Sequence, residues 1–257
     1  MLALRSLAFN LCFYAATAVI ALGGLPALVS RRTVLGIART WGRTTIWLLR
    51  HVAGIRVEFR GLENIPPGPL LVAAKHQSAL ETLALCVVFP EFAYILKREL
   101  LFIPVVGWHL SRGGMVAIDR SKGTRAMGLM NAAAADAIAR GRQLIIFPEG
   151  TRRPVGAPPV YKQGLSHLYG ALGVPCLPVA LNTGLFWPRR GFVRRPGTAV
   201  IEFLPPIPAG MPRAAFQAEI LERIEAASNA LVEVGRAELA ARGHAVPEPA
   251  REASRTA

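Results

Sequence analysis

His76 is followed five residues later by Glu81 in the run His76-Gln77-Ser78-Ala79-Leu80-Glu81, and a second polar island, Phe147-Pro148-Glu149-Gly150-Thr151-Arg152, lies downstream. A histidine with a carboxylate partner is a general base with its orienter: a neutral imidazole held in one tautomer can take the proton of an alcohol that is otherwise a poor nucleophile at neutral pH. Positions i and i+5 of a regular helix lie about 140° apart, so the pair can meet only if His76 precedes the helix. Ser78 and Glu81 have the spacing of a capping box, which predicts a helix start at Ser78 and leaves His76 in the non-helical approach. The same box gives Glu81 a purely structural alternative, capping backbone N–H groups at the positive end of the helix dipole. His76 has one too, since a histidine beside an apolar strand is often a hydrogen-bonded structural residue. Ser78 is a poor choice for a covalent nucleophile, because no G-x-S-x-G elbow surrounds it.

The second island follows the apolar run Gln143–Phe147, where Pro148 and Gly150 force a turn and bring Glu149, Gly150, Thr151 and Arg152 to a rim. Arg152 is fork-shaped and always charged, which suits a phosphate monoester, with Thr151 and backbone N–H groups as further donors. Glu149 would repel phosphate, so it is expected to orient Arg152 or a hydroxyl of the acceptor. Asp119-Arg120 after Met115–Ile118 repeats the pattern, and Lys97 in Lys97-Arg98-Glu99-Leu100 is a further cation. Taken singly, each arginine reads more readily as a solvated rim charge.

The elements that must position these groups are short apolar runs bounded by Gly and Pro, alternating with longer helical stretches, an α/β signature. Strands are predicted at Ile55–Phe59, Leu70–Ala74, Phe92–Leu96, Met115–Ile118, Gln143–Phe147, Cys176–Leu181 and Thr198–Phe203, and helices at Ala79–Val88, Pro104–Leu110, Thr124–Ala139, Gly164–Leu172 and Arg213–Leu239. Placing His76 just after Leu70–Ala74 puts it at a strand-to-helix turn, where side chains reach a crevice at the sheet edge. From Gly243 the chain is polar, without aromatics and with Pro247 and Pro249, and is expected to be disordered.

Ahead of this α/β region no charged residue lies between Arg5 and Arg31, and Leu7–Leu25 would span about 28 Å, close to the hydrocarbon core of a bilayer. A cleaved signal peptide is the rival reading, but the run exceeds the usual apolar core of one. Arg31, Arg32, Arg39 and Arg43 follow the run while only Arg5 precedes it, which by the positive-inside bias puts the rest of the chain on the cytoplasmic side. Gly23, Gly24 and Pro26 allow a hairpin, and Val34–Val52 mixes Trp41 and Trp47 with arginines as an interfacial helix would. Thirty Lys+Arg against 16 Asp+Glu give a net charge of +14. A mean hydropathy of +0.36, with arginines beside apolar segments, favours an anionic membrane or lipid over nucleic acid. Cys12, Cys86 and Cys176 lie singly in apolar runs, with no disulfide framework or zinc spacing.

With Gly114–Arg120 between the two islands and Val174-Pro175-Cys176-Leu177-Pro178-Val179 after them, the four segments resemble, in order, the four blocks of the glycerolipid acyltransferase family, over roughly residues 70 to 184. The resemblance implies a mixed sheet flanked by helices, with residues 1–54 as N-terminal membrane-anchoring helices, 55–242 as the acyltransferase domain and 243–257 as the tail. It implies transfer of a fatty acyl group from a thioester, acyl-CoA or acyl carrier protein, to the free sn-2 hydroxyl of a lysophosphatidate acceptor. No metal or redox cofactor is expected, and the location is the cytoplasmic face of a bacterial inner membrane. His76 and Glu81 match the family's His-then-acid block, Arg120 and Arg152 its phosphate-binding positions, and Lys97 a basic segment many members carry. The family usually has Asn before the His and Asp as the acid, where this chain has Lys75 and Glu81. The Val174–Val179 block suits an acyl or acceptor channel, or simply a buried strand. A relative acylating a lyso-ornithine lipid or glycerol 3-phosphate, and a catalytically silent lipid-binding protein, are the alternatives.

Overall fold

Leu70–Ala74 and Cys176–Leu181 are buried at every position, as strands covered on both faces must be, and they pair in parallel in the middle of a seven-stranded sheet. The structure, a computed structural model, describes residues 1–119 and 123–246. Its strands are β1 (Ile55–Arg60), β2 (Leu70–Ala74), β3 (Phe92–Lys97), β4 (Val116–Ile118), β5 (Gln143–Ile146), β6 (Cys176–Leu181) and β7 (Gly197–Phe203), in the spatial order β1-β7-β6-β2-β5-β3-β4. β6, β2, β5, β3 and β4 share one direction; β7 is antiparallel to β6, and β1 runs with β7. The sheet is mixed, as expected, and all seven predicted strands are present, with ends shifted by at most a residue and those of β2 and β6 unshifted.

The helices are α1 (Leu2–Gly23), α2 (Arg31–Leu48), α3 (Leu80–Val88), α4 (Val106–Arg112), α5 (Gly123–Ala139), α6 (Gly164–Leu172), α7 (Thr183–Phe186) and α8 (Arg213–Ala241). Leu35 of α2 and Leu80, Leu83 and Ala84 of α3 pack on one face of the sheet; Met130 and Ala134 of α5, Leu165 and Leu168 of α6, and Phe216, Ile220 and Ile224 of α8 pack on the other. The α2–α3 crossing is close because residue 42 is glycine: a Cβ there would sit 2.6 Å from the Leu83 carbonyl oxygen.

Among the described residues α1 is the one helix long and apolar enough to cross a membrane, by length and composition, and little of it is buried. A 3₁₀ turn, Leu25–Val29, follows at the Gly-Pro break, and Ser30 caps α2 by accepting from the Thr33 N–H at 3.2 Å. The two tryptophans expected on one interfacial face separate: Trp47 is exposed, whereas Trp41 turns inward and donates to Thr17 Oγ1 of α1 at 2.9 Å. Phe9, Leu35, Leu48, Leu49 and Ala53 belong to the same core cluster as the sheet residues, so packing is continuous across the expected boundary at residue 54. Of the tail expected to be disordered, 247–257 lies outside the described residues.

Candidate active site

Because β2, β5, β3 and β4 are parallel, the residues leaving their C-terminal ends meet along one edge of the sheet, where open α/β sheets bind their ligands. His76 lies just beyond β2, Phe147–Arg152 beyond β5, Lys97 at the end of β3, and Asp119 beyond β4. The two islands are tied together, with the Arg153 N–H donating to the His76 carbonyl at 2.7 Å.

α3 starts at Leu80, so His76 is in the non-helical approach and the pair meets: His76 Nδ1 lies 2.9 Å from Glu81 Oε1. The same Oε1 accepts from the backbone N–H groups of Gln77 at 2.8 Å and Ser78 at 2.6 Å, and Oε2 accepts from Thr183 Oγ1 at 2.7 Å. The two roles open to Glu81 from its spacing are therefore both filled, by one oxygen. The capping box is only half formed: Ser78 Oγ accepts from the Leu80 N–H at 3.1 Å, and Ala79 is the N-cap residue. Glu81 is fully buried, and apart from His76 its oxygens are met by three donors, so the contact with Nδ1 is one in which the carboxylate accepts. Nδ1 therefore carries the imidazole proton, and Nε2 is left as the basic nitrogen. The ring stacks on Phe147 with centroids 3.8 Å apart and planes 14° from parallel, which fixes its tilt as Glu81 fixes its tautomer.

Glu149 departs from expectation. It neither orients Arg152 nor faces an acceptor: Oε1 lies 3.1 Å from Lys75 Nζ and Oε2 accepts from the His76 N–H at 3.2 Å, with no side-chain exposure. Lys75 sits between two carboxylates, with Glu225 Oε1 of α8 at 2.6 Å, and Tyr161 donates to that same oxygen at 2.9 Å. The cation beside the His76 block is thus consumed in a buried network. Burial raises the Glu149 carboxyl above its ordinary value despite the opposing pull of Lys75. It also raises the Tyr161 phenol, an effect Glu225 adds to.

Gly150 takes a left-handed turn at φ 66°, its N–H bonding the Phe147 carbonyl at 2.9 Å. Thr151 is exposed and Arg152 half-buried, its carbonyl accepting from Arg189 Nη1 at 2.8 Å. Lys97 is exposed, next to Arg98, which pairs with Asp119 at 2.9 Å. Arg120 lies outside the described residues. The Val174–Val179 block enters β6, buried at every position beside β2.

Thr183, Glu225 and Tyr161 are parts of the site that sequence reading missed. Thr183 had a signal, since Asn182-Thr183-Gly184 is a polar triplet at the end of an apolar strand. A Cβ on Gly184 would lie 2.9 Å from the Gln77 Cβ, so glycine there lets α7 close over the His76 block, where the Gly184 N–H donates to Gln77 Oε1 at 3.1 Å. Glu225 had none, being one of several glutamates along α8.

A family model described as Acyltransferase matches residues 56–182. A Pseudomonas aeruginosa protein named 1-acyl-sn-glycerol-3-phosphate acyltransferase is 40% identical over 201 residues, 78% of each chain. The human protein named 1-acyl-sn-glycerol-3-phosphate acyltransferase alpha is 32% identical over 163 residues, 62% of this chain and 58% of its own. The crystal structure of the 1-acyl-sn-glycerophosphate acyltransferase from Thermotoga maritima superposes with a TM-score of 0.74 at 25% identity, covering 91% of this chain and 98% of that one.

Proposed function

The chain belongs to the acyltransferase family, and on that premise we propose that His76 is its general base and Glu81 the group that holds the base in register. The protein is an O-acyltransferase: it acylates lysophosphatidate to phosphatidate, the reaction its relatives are named for. His76 Nε2 takes the proton from the sn-2 hydroxyl as the oxygen attacks the thioester carbonyl carbon. The C–O bond forms, the tetrahedral intermediate collapses with cleavage of the C–S bond, and the departing sulfur leaves as a thiol with the proton from Nε2. Atoms and charge balance without a metal or redox partner. The observation that carries this reading is the 2.9 Å contact from His76 Nδ1 to a buried carboxylate that also accepts from three other donors, an arrangement that leaves Nε2 as the basic nitrogen of the ring.

For the acceptor phosphate we assign Arg152, Thr151 and the Gly150 turn, with Lys97 from a neighbouring strand end, which the shared sheet edge supports, and Arg120, which the family resemblance alone supports. Glu149 acts behind them, holding the His76 backbone. The donor is an anionic carrier thioester, acyl-CoA or acyl carrier protein. The apolar helix α1 anchors the chain, and the arginines after it favour the cytoplasmic face of a bacterial inner membrane. Purified protein given lysophosphatidate, glycerol 3-phosphate and a lyso-ornithine lipid, each with both donors, should favour lysophosphatidate by at least about tenfold in kcat/KM, a difference of about 1.4 kcal/mol. Preference for another acceptor overturns the acceptor assignment, and no turnover with any pair leaves a lipid-binding protein.

A further inference from the structure

A second set of cations gathers at the other end of the sheet. A cavity of about 380 Å³ is lined by Arg31, Arg112, Arg140 and Arg142, with Asp136 and Gly114 among its other walls. Arg142 directly precedes β5 and Gly114 lies just before β4, whereas His76 and Phe147 follow the far ends of β2 and β5. Five residue steps along β5 separate Arg142 from Phe147, about 16 Å at the rise of an extended strand. The cavity is therefore separate from the acyl-transfer site.

Its charge is unbalanced. Arg31 pairs with Glu91 at 3.2 Å and Arg140 with Asp136 at 2.9 Å, which leaves Arg112 and Arg142 without a carboxylate partner among the described ion pairs. Arg142 is 3% exposed, yet it is met only by carbonyls: Gly114 O at 2.6 Å, Gly113 O at 2.9 Å and Phe92 O at 2.5 Å, with Nε buried and unpartnered. Burial, with Arg31 next in effect, lowers its pKa to about 10, so this guanidinium is held at a desolvation cost that a bound anion would offset. Guanidinium forks around a space of this size suit a phosphate group, which takes paired N–H donors.

The cavity also adjoins the apolar end of α1. Arg112 donates to the Val29 carbonyl, His109 Nε2 lies 2.9 Å from the Ala21 carbonyl, and Val29 and Trp108 are 72% and 54% exposed. A phosphate at the level of lipid headgroups would thus have direct access. We propose that this cavity is an anion site, distinct from the acceptor's, that binds a phosphate group carried by a phospholipid headgroup or free in solution.

The test uses the full chain in neutral detergent, titrated with phosphatidylglycerol, with phosphatidylcholine, or with inorganic phosphate at constant ionic strength, reading apparent affinity from the rise in Tm. Two double variants are compared: Arg112→Ala/Arg140→Ala at the cavity, and Arg56→Ala/Arg60→Ala, which removes the same charge from β1 at the opposite edge of the sheet. Saturable stabilisation by phosphatidylglycerol or by phosphate, weakened about tenfold or more by the cavity variant and less than about twofold by the other, supports the site. Response to phosphatidylglycerol alone identifies the headgroup as the source; equal response to phosphate identifies a soluble anion. No stabilisation by either, or the same loss in both double variants, overturns it. Should the cavity variant not fold, Arg140→Ala alone, at an exposed position, is subject to the same criteria.

Discussion

Glu81 carries two duties on one oxygen, so its substitutions separate chemistry from folding. In Glu81→Gln the amide oxygen can keep the Oε1 bonds to His76, Gln77 and Ser78 while its NH₂ faces Thr183, whose hydroxyl can turn to accept. Stability should change by less than about 1 kcal/mol, the scale of a capping contact. kcat should fall by about 10² or more, because the charge that supports an imidazolium is gone. Glu81→Asp keeps that charge but shortens the reach; it should retain more activity than Gln and lose more stability. Steady-state kinetics beside thermal melts decide it, and a Gln variant of full activity would reduce Glu81 to a cap. Behind the base, Lys75→Met leaves Glu149 and Glu225 facing each other in a buried space, a loss of about 3 to 5 kcal/mol for a broken buried pair. It should also lower kcat, because Glu149 no longer holds the His76 N–H. Adding Glu225→Gln to Lys75→Met should recover part of both, and a double variant no better than the single one would refute the network. Glu149 has a raised native carboxyl pKa, so the folded state holds that proton more tightly than the unfolded chain. Its share of stability is complete below the ordinary value of 4.5 and is lost as pH rises through the native value; Glu149→Gln should flatten that decline in melts taken across this range. The pairing of His76 with Glu81 was legible because spacing and a helix start are local properties of the chain. The fate of Glu149 was not, because Lys75 and Glu225 lie 74 and 150 residues apart from their partners and only the fold joins them.

Hydrophobic runs bounded by Gly and Pro made the strands legible, and where an end differs it does so by one residue, because pairing registers, not composition, set where a ladder stops. The strand order and the reversal between β6 and β7 were beyond pattern reading, since they depend on contacts far apart in sequence; the family resemblance implied only that the sheet is mixed. Residues 1–54 were read as a membrane unit from charge, apolarity and the family resemblance, none of which reveals that Leu35, Leu48, Leu49 and Ala53 fill the core. Lone leucine-to-alanine changes in a core cost about 2 to 5 kcal/mol each, against a typical domain stability of about 5 to 15 kcal/mol. Deleting 1–54 should therefore yield a chain without cooperative unfolding, checked by circular dichroism melts in detergent. A truncated protein that melts cooperatively and stays active would show that α2 is dispensable to the core.

At the scale of the whole molecule, a parallel core of strands brings His76, the Gly150 turn and Lys97 to one edge, with the long helix α8 packed on the sheet that carries them and α2 packed on α3. The α1 helix is largely unburied and, by length and composition, long and apolar enough to cross a membrane. Base-assisted acyl transfer is tested by comparing the purified protein with His76→Ala, following diacyl product from lysophosphatidate and a thioester donor by mass spectrometry, with melts to confirm that both are folded. The expected result is phosphatidate formed by the unsubstituted protein and a kcat at least about 10² lower in His76→Ala at similar stability. Near-equal turnover by a folded His76→Ala protein would contradict it.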